Sequence, residues 1–232
     1  MLKKTRTKII ATIGPSSDHI RVLKRMKNNG MDIARINTKY TNKTQFEKLL
    51  KLIKKVKLEI LIDLKKEEFL KWINPHKYEY LAVSFATSGR QIKKIRSMVD
   101  SKKVKIISKI ENKKGLKNFD SILKESDGIM IGRGDLSKNV PFERLPMIQK
   151  RIIKKVKAKK KIAITATEML ISMTKHKSPQ KSEITDIANA VLDGSDMVML
   201  SEETTIGKYP GLAVKTMNKI IMEAEKNKRY IK

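Results

Sequence analysis

Lys109, Glu111 and Asp135 are the residues whose types and spacing best suit chemistry in this chain. Two short apolar runs, Val104–Ile107 and Gly128–Ile131, each lead into polar residues that a buried strand would not choose. The first leads into Lys109-Ile110-Glu111 and the second into Gly132-Arg133-Gly134-Asp135. Helical patterning over Gly115–Glu125 separates them, so they read as parallel neighbours in a βαβ unit with their carboxyl ends side by side. A lysine and two carboxylates at one mouth suit the joint holding of a divalent cation and an anionic substrate. The stretch Gly132–Asp135 also offers bare backbone N–H groups near a helix start, an anion site that glycine permits by leaving no side chain in the way. A short turn explains the same four letters equally well.

The other elements must position these residues. Strands are expected at Lys8–Ile13, Asp32–Ile36, Ile60–Ile62, Leu81–Val83, Val104–Ile107, Gly128–Ile131, Lys161–Thr165 and Met197–Leu200. Helical stretches alternate with them. Ser16 or Ser17 is expected to cap the first, Thr44-Gln45-Phe46-Glu47 to form a capping box, and Ser178-Pro179 to open a later helix. Such alternation implies an α/β chain with a parallel sheet, and eight units imply closure into a single (β/α)8 TIM barrel over residues 1–232. Arg35 and Asn37 end the second strand, and Thr167 and Ser201 end the seventh and eighth. Arg35 can grip a phosphate bidentately. Together these residues line one rim with acids, bases and hydroxyls, which favours a small anionic substrate over a protein partner.

Composition excludes several classes. The absence of cysteine rules out disulfide frameworks, thiolate zinc sites and thiol nucleophiles, and is compatible with a reducing cytosol. No apolar run approaches the roughly 18 residues of a membrane helix. The basic N-terminus passes straight into Gly14-Pro15 without a cleavage pattern and reads as mature protein. Net charge is +29, from 53 basic and 24 acidic residues. The lysines are spread over every amphipathic helix with no aromatic residues interleaved for base stacking, which argues against nucleic acid. The charge would still steer anionic metabolites inward. His19, His76 and His176 show no ligand spacing.

With those residues placed, the chain resembles pyruvate kinase. The likeness is carried by TKIIATIGPSS, MDIARIN, KIISKIEN, SDGIMIGRGDL, ITATEML, SEITDIANAVLDGSDMVMLSEET, IGKYP and AVKTMNKII, within residues 7–225. It implies transfer of phosphate from phosphoenolpyruvate to ADP, then protonation of the enolate to pyruvate, in the cytoplasm. Glu111 and Asp135 then match Mg²⁺ ligands, and Lys109 matches the lysine that stabilises phosphoryl and enolate charge. Gly134, Asp135 and Thr167 match the carboxylate cradle, and Arg35 a phosphate contact. Ser201 and Glu203 fall on the proton-delivery side.

Departures accompany the likeness. The family inserts a lid after strand three, whereas here the chain runs from about Lys66 into Glu67-Glu68-Phe69, so the lid is expected to be absent. The arginine that follows the family's strand-three motif is missing, and a regulatory domain is expected to be missing after Lys232. Glu202 stands where the family has glycine, and Thr87 and Ser88 replace a basic pair. Asn37 and Asp63 match ligands of a monovalent cation. Lys39 and Leu64 replace two others, so the Lys39 ammonium, paired with Asp63, is expected to stand in for K⁺. The resemblance also leaves open self-association through the last helices, a Mg²⁺-dependent pyruvate or oxaloacetate lyase, and a non-catalytic remnant.

Overall fold

A computed structural model describes residues 5–99 and 103–228. The strands are β1 Lys8–Thr12, β2 Met31–Asn37, β3 Glu59–Leu64, β4 Tyr80–Val83, β5 Lys105–Ile110, β6 Gly128–Gly132, β7 Ile162–Ala166 and β8 Met197–Leu200. They close in sequence order into a barrel, every pair parallel, with β1 returning to β8. The expected architecture is therefore the observed one.

The twofold alternation of side chains along a strand sorts the residues into layers. Ile10, Ile33, Leu61, Ile107, Met130 and Ile164 lie in one buried cluster that plugs the barrel interior. Two residues further along the same strands come Thr12, Arg35, Asp63, Lys109, Gly132 and Ala166, and Ser84 follows two residues after Ala82. On β1 to β5 the interior thus changes from apolar to polar within one step toward the carboxyl ends. A second, larger cluster fills the space between strands and helices, with Leu23, Phe46, Ile53, Ile122 and Ile153 on the inward helix faces. The lysines occupy the opposite faces, as the sequence pattern implied.

Several element ends differ from expectation, each for a local reason. Asn42, rather than Thr44, caps the helix Lys43–Val56: its side chain accepts the Gln45 N–H at 2.9 Å, and Gln45 accepts the Asn42 N–H at 3.1 Å. Asparagine caps at least as well as threonine, and glutamine closes the box as glutamate would. His19 caps the helix Ile20–Asn28, because Ser17 is buried and bonded to Gly14. Gln180, two residues past Ser178, caps the helix Lys181–Asp193 in a box with Glu183. The single helix expected over Gly115–Glu125 is two, Lys113–Lys117 and Phe119–Glu125. They break at Asn118, whose side-chain amide donates to the Thr87 carbonyl at 2.7 Å.

Candidate active site

Four charges meet in the polar layer. Asp63, on β3 and 1 % exposed, is its centre. Its Oδ2 accepts Arg35 Nε at 3.0 Å, Arg35 Nη2 at 2.7 Å and Lys109 Nζ at 2.9 Å. Its Oδ1 accepts the Ser84 hydroxyl at 2.8 Å. Lys109 reaches on to Glu111 Oε1 at 3.0 Å, and Arg35 Nη1 donates to Thr12 Oγ1 at 2.7 Å. Adjacent strands make this knot possible: Arg35 pairs in register with Leu61 and Thr12, and Asn37 with Asp63. Burial alone would raise the Asp63 pKa, but the Lys109 and Arg35 charges outweigh it and hold the carboxyl far below the ordinary range.

Glu111 is buried and turned by a second contact, the Phe85 N–H donating to its Oε2 at 2.8 Å. Phe85 makes that contact with φ at +50°, a left-handed conformation costly for a bulky residue. Asp135 lies at the end of the short helix Arg133–Leu136, its side chain 47 % exposed and near Lys138. Asn139 ties the two acids' backbones together, its amide donating to the Asp135 carbonyl at 2.9 Å and the Glu111 carbonyl at 3.4 Å. Among the described residues no three His, Cys, Asp or Glu side chains form a metal-holding group. Mg²⁺ asks for fewer protein ligands than that, since it is bound through one or two carboxylates and otherwise keeps water and substrate oxygens.

Gly132 explains how Glu111 enters the mouth. A Cβ there would meet Glu111 Cγ at 2.7 Å and Oε1 at 2.9 Å. Gly132→Ala should push the carboxylate off Lys109 and cost about 1–3 kcal/mol in a urea unfolding measurement.

On the far side of the mouth, Thr167 Oγ1 accepts the Gly134 N–H at 2.9 Å and donates to the Ala166 carbonyl at 2.6 Å. Ser201 follows β8, and its N–H donates to Glu203 Oε2 at 2.7 Å. Glu203 is fully buried and also accepts the Leu170 N–H at 2.9 Å, so it braces the loops after β7 and β8. Burial pushes its carboxyl up, and the backbone donors at Leu170 and Ser201 pull the other way. Glu202, the extra acid, is exposed.

The expected pairing of Lys39 with Asp63 needs correction. Asp63 is paired with Arg35 and Lys109, not with Lys39. Its Oδ2 already accepts three N–H donors, and Asn37 Oδ1 is occupied by the Lys39 backbone N–H at 3.1 Å. The exposed Lys39 ammonium instead lies 5.0 Å over the Tyr40 ring, where Tyr40 and then the Asp135 and Glu111 charges raise its pKa.

The residue reading therefore brought Arg35, Lys109 and Glu111 to one place and Thr167 and Gly134 to another. It passed over Thr12, Ser84 and Asn139 as contributors. For Thr12 and Ser84 the signal was the strand register, since a polar residue two steps beyond an inward apolar one at a carboxyl end faces the mouth. Asn139, in the loop after the helix Arg133–Leu136, has no such signal.

Comparison with known proteins agrees with this geometry. Residues 54–214 match the family described as pyruvate kinase, barrel domain. The chain is 44% identical over 172 residues to a cytosolic pyruvate kinase isozyme of Solanum tuberosum, covering 73% of this chain and 34% of that protein. It is 42% identical over 207 residues to the Nicotiana tabacum cytosolic isozyme, covering 88% and 40%. To the pyruvate kinase of Thermococcus litoralis it is 46% identical over 160 residues, covering 68% and 34%. The chain thus spans between a third and two fifths of the length of these relatives.

Proposed function

We propose that this chain, which belongs to the pyruvate kinase family, transfers the phosphoryl group of phosphoenolpyruvate to ADP and protonates the resulting enolate to pyruvate, serving glycolysis in the cytoplasm. The observation that carries the reading is the buried array of Arg35, Asp63, Lys109 and Glu111 at the carboxyl ends of β2, β3 and β5. A structural core gains little from such charges. A site that must bind a trianionic substrate needs the Arg35 and Lys109 cations, and Asp63 and Glu111 hold them in place.

Each residue then has work to do. Arg35 spends three of its five N–H donors on Asp63 and Thr12, leaving two for phosphoryl oxygens. Lys109 shifts from Glu111 toward the bridging oxygen of the substrate. As an ADP oxygen attacks phosphorus, the P–O bond to the enol breaks and its electron pair stays on the enolate oxygen beside the ammonium. The enolate carbon takes a proton on the Ser201 side, where Glu203 holds the backbone. Gly134, Asp135 and Thr167 cradle the substrate carboxylate. Mg²⁺, held by Glu111 and Asp135, would supply charge neutralisation at the phosphoryl oxygens.

The link from β3 to β4 spans residues 65–79 and holds only the turn Glu67–Phe69 and the helix Leu70–Ile73. A covering domain has no place in it. This favours a second reading, a metal-dependent lyase on pyruvate or oxaloacetate, whose enolate chemistry needs no nucleotide. One coupled assay separates them. Pyruvate formation from phosphoenolpyruvate that requires both ADP and Mg²⁺ supports the kinase. Oxaloacetate decarboxylation without ADP-dependent turnover replaces it with the lyase, and salt-sensitive nucleic-acid binding with neither activity marks a remnant.

Turnover is also expected without added K⁺, since Asp63 already carries its cations. Equal rates in tetramethylammonium and potassium buffers would show this. A rate that rises with K⁺ would mean that the knot opens to admit the ion. Lys39→Ser then tests whether the ammonium near Glu111 and Asp135 contributes. Among the described residues no helix is long and apolar enough to cross a membrane. Homo-oligomerisation through the last helices is the remaining part of the proposal.

A further inference from the structure

Arg133 stands between the two glycines of the Gly132-Arg133-Gly134-Asp135 stretch, yet its side chain leaves the mouth and is buried beneath the loop after β7. There its guanidinium is fully engaged. Nε and Nη2 both donate to the Thr167 carbonyl, at 3.2 and 2.6 Å, and Nη2 also reaches the Glu168 carbonyl at 3.2 Å. Nη1 meets both oxygens of Asp186, at 2.8 and 2.6 Å, and Gln149 Oε1 at 3.4 Å. The two residues whose carbonyls it holds have an unusual backbone. Thr167 has φ +70° and Glu168 has φ +54°, successive left-handed residues without a glycine. For a β-branched threonine this is a genuine outlier, and such outliers persist only where surrounding contacts over-determine them.

Besides the Thr167 hydroxyl's bonds to Gly134 and Ala166, the contacts that hold this turn are those of Arg133 on its two carbonyls. A left-handed pair turns successive carbonyls toward the same region, and a planar cation placed there bonds both at once. Asp186, on the helix Lys181–Asp193, fixes the guanidinium from behind. The consequence reaches the mouth through Thr167, because the same residue presents the hydroxyl that accepts the Gly134 N–H. A relaxed Thr167 would rotate that hydroxyl away.

We propose that Arg133 is a positioning residue: its guanidinium, anchored by Asp186, clamps the strained Thr167-Glu168 turn and thereby sets the hydroxyl and backbone that receive the substrate carboxylate. The proposal rests on the cradle role given to Thr167 and Gly134 above. Its backbone claim, however, is measurable without turnover.

The test uses the full chain with Arg133→Gln, Arg133→Lys, Asp186→Asn, and Arg133→Gln combined with Glu168→Gly. Hydrogen–deuterium exchange is followed over residues 166–171, alongside steady-state kinetics with phosphoenolpyruvate, ADP and Mg²⁺. In Arg133→Gln, exchange in this turn should quicken about tenfold to a hundredfold, the equivalent of the strain at one such residue, while the strands keep wild-type protection. KM for phosphoenolpyruvate should rise about tenfold, with kcat falling less, as expected when shared ground-state and transition-state binding is lost. Arg133→Lys should resemble Gln, because an ammonium cannot span both carbonyls and Asp186.

Glu168 is exposed, so Glu168→Gly removes the left-handed penalty at that position, leaving the one at Thr167, without removing core packing. It should restore much of the protection lost in Arg133→Gln. Unchanged exchange in Arg133→Gln, or absence of rescue by Glu168→Gly, overturns the clamp. If Arg133→Gln does not fold, Asp186→Asn decides: faster exchange in the same turn supports the clamp and unchanged exchange overturns it. A wild type without turnover would sink the kinase reading alone, since the exchange experiment still judges the clamp.

Discussion

Lys109→Met should lower kcat for pyruvate formation by about a hundredfold to a thousandfold, the usual consequence of removing one preorganised group that faces developing negative charge. Methionine keeps most of the side-chain length and no charge, so the loss reports the ammonium. The same substitution should make the protein bind divalent cations more tightly. Lys109 Nζ lies 3.0 Å from Glu111 Oε1 and competes for the oxygen that would coordinate Mg²⁺. With the lysine gone, Glu111 keeps only one of its two close contacts, the Phe85 N–H. The thermal shift on adding Mg²⁺ should therefore be larger in Lys109→Met than in wild type. Opposite signs for turnover and metal stabilisation are hard to produce by general damage to the fold. Retained turnover would remove Lys109 from the chemistry. Reduced turnover with unchanged Mg²⁺ stabilisation would remove Glu111 from the metal site.

The barrel was legible because each strand is short, apolar and closed by polar residues, and because helices with lysine on one face alternate with the strands. Those are local signals. Helix starts were less legible where several capping residues lie close together, as at Asn42 and Thr44 or at Ser178 and Gln180, because the winner depends on where the preceding strand delivers the chain. Lys109 and Glu111 could be read from their place at the carboxyl end of β5. Asp63 was matched to a cation site through family likeness, and its real role was hidden. Which charges neutralise it depends on neighbours 28 and 46 positions away in sequence. Arg133 was hidden for the opposite reason. Its neighbours Gly132 and Gly134 draw attention to backbone anion binding, while the side chain's partners at Thr167 and Asp186 come from the loop after β7 and the helix Lys181–Asp193. Long-range pairing of this kind leaves no periodicity to detect.

Asp63→Asn should be the most destabilising single change in the mouth, by about 3–5 kcal/mol in urea or thermal unfolding, because it leaves cations buried without their counter-charge. Arg35 and Lys109 both point at Asp63 Oδ2, and both are at least nine-tenths buried. Asparagine matches the shape but offers a neutral acceptor, so Arg35 keeps only the Thr12 hydroxyl as its other partner among the bonds described. Acid titration gives an independent check of the same charge. A carboxyl whose folded pKa lies below its unfolded value adds stability above the unfolded value and loses it only as pH falls through the folded one. The Asp63 contribution should thus be intact at neutral pH, begin to decline once pH drops below about 4, the unfolded aspartate range, and persist in part well below it. The stability gap between wild type and Asp63→Asn should accordingly be constant from pH 7 to about 5 and narrow under strong acid. A gap that widens on acidification would mean that Asp63 is protonated in the native barrel and that Arg35 and Lys109 are neutralised by other groups. An Asp63→Asn protein as stable as wild type would dissolve the charge knot altogether, and with it the reason for expecting turnover without potassium.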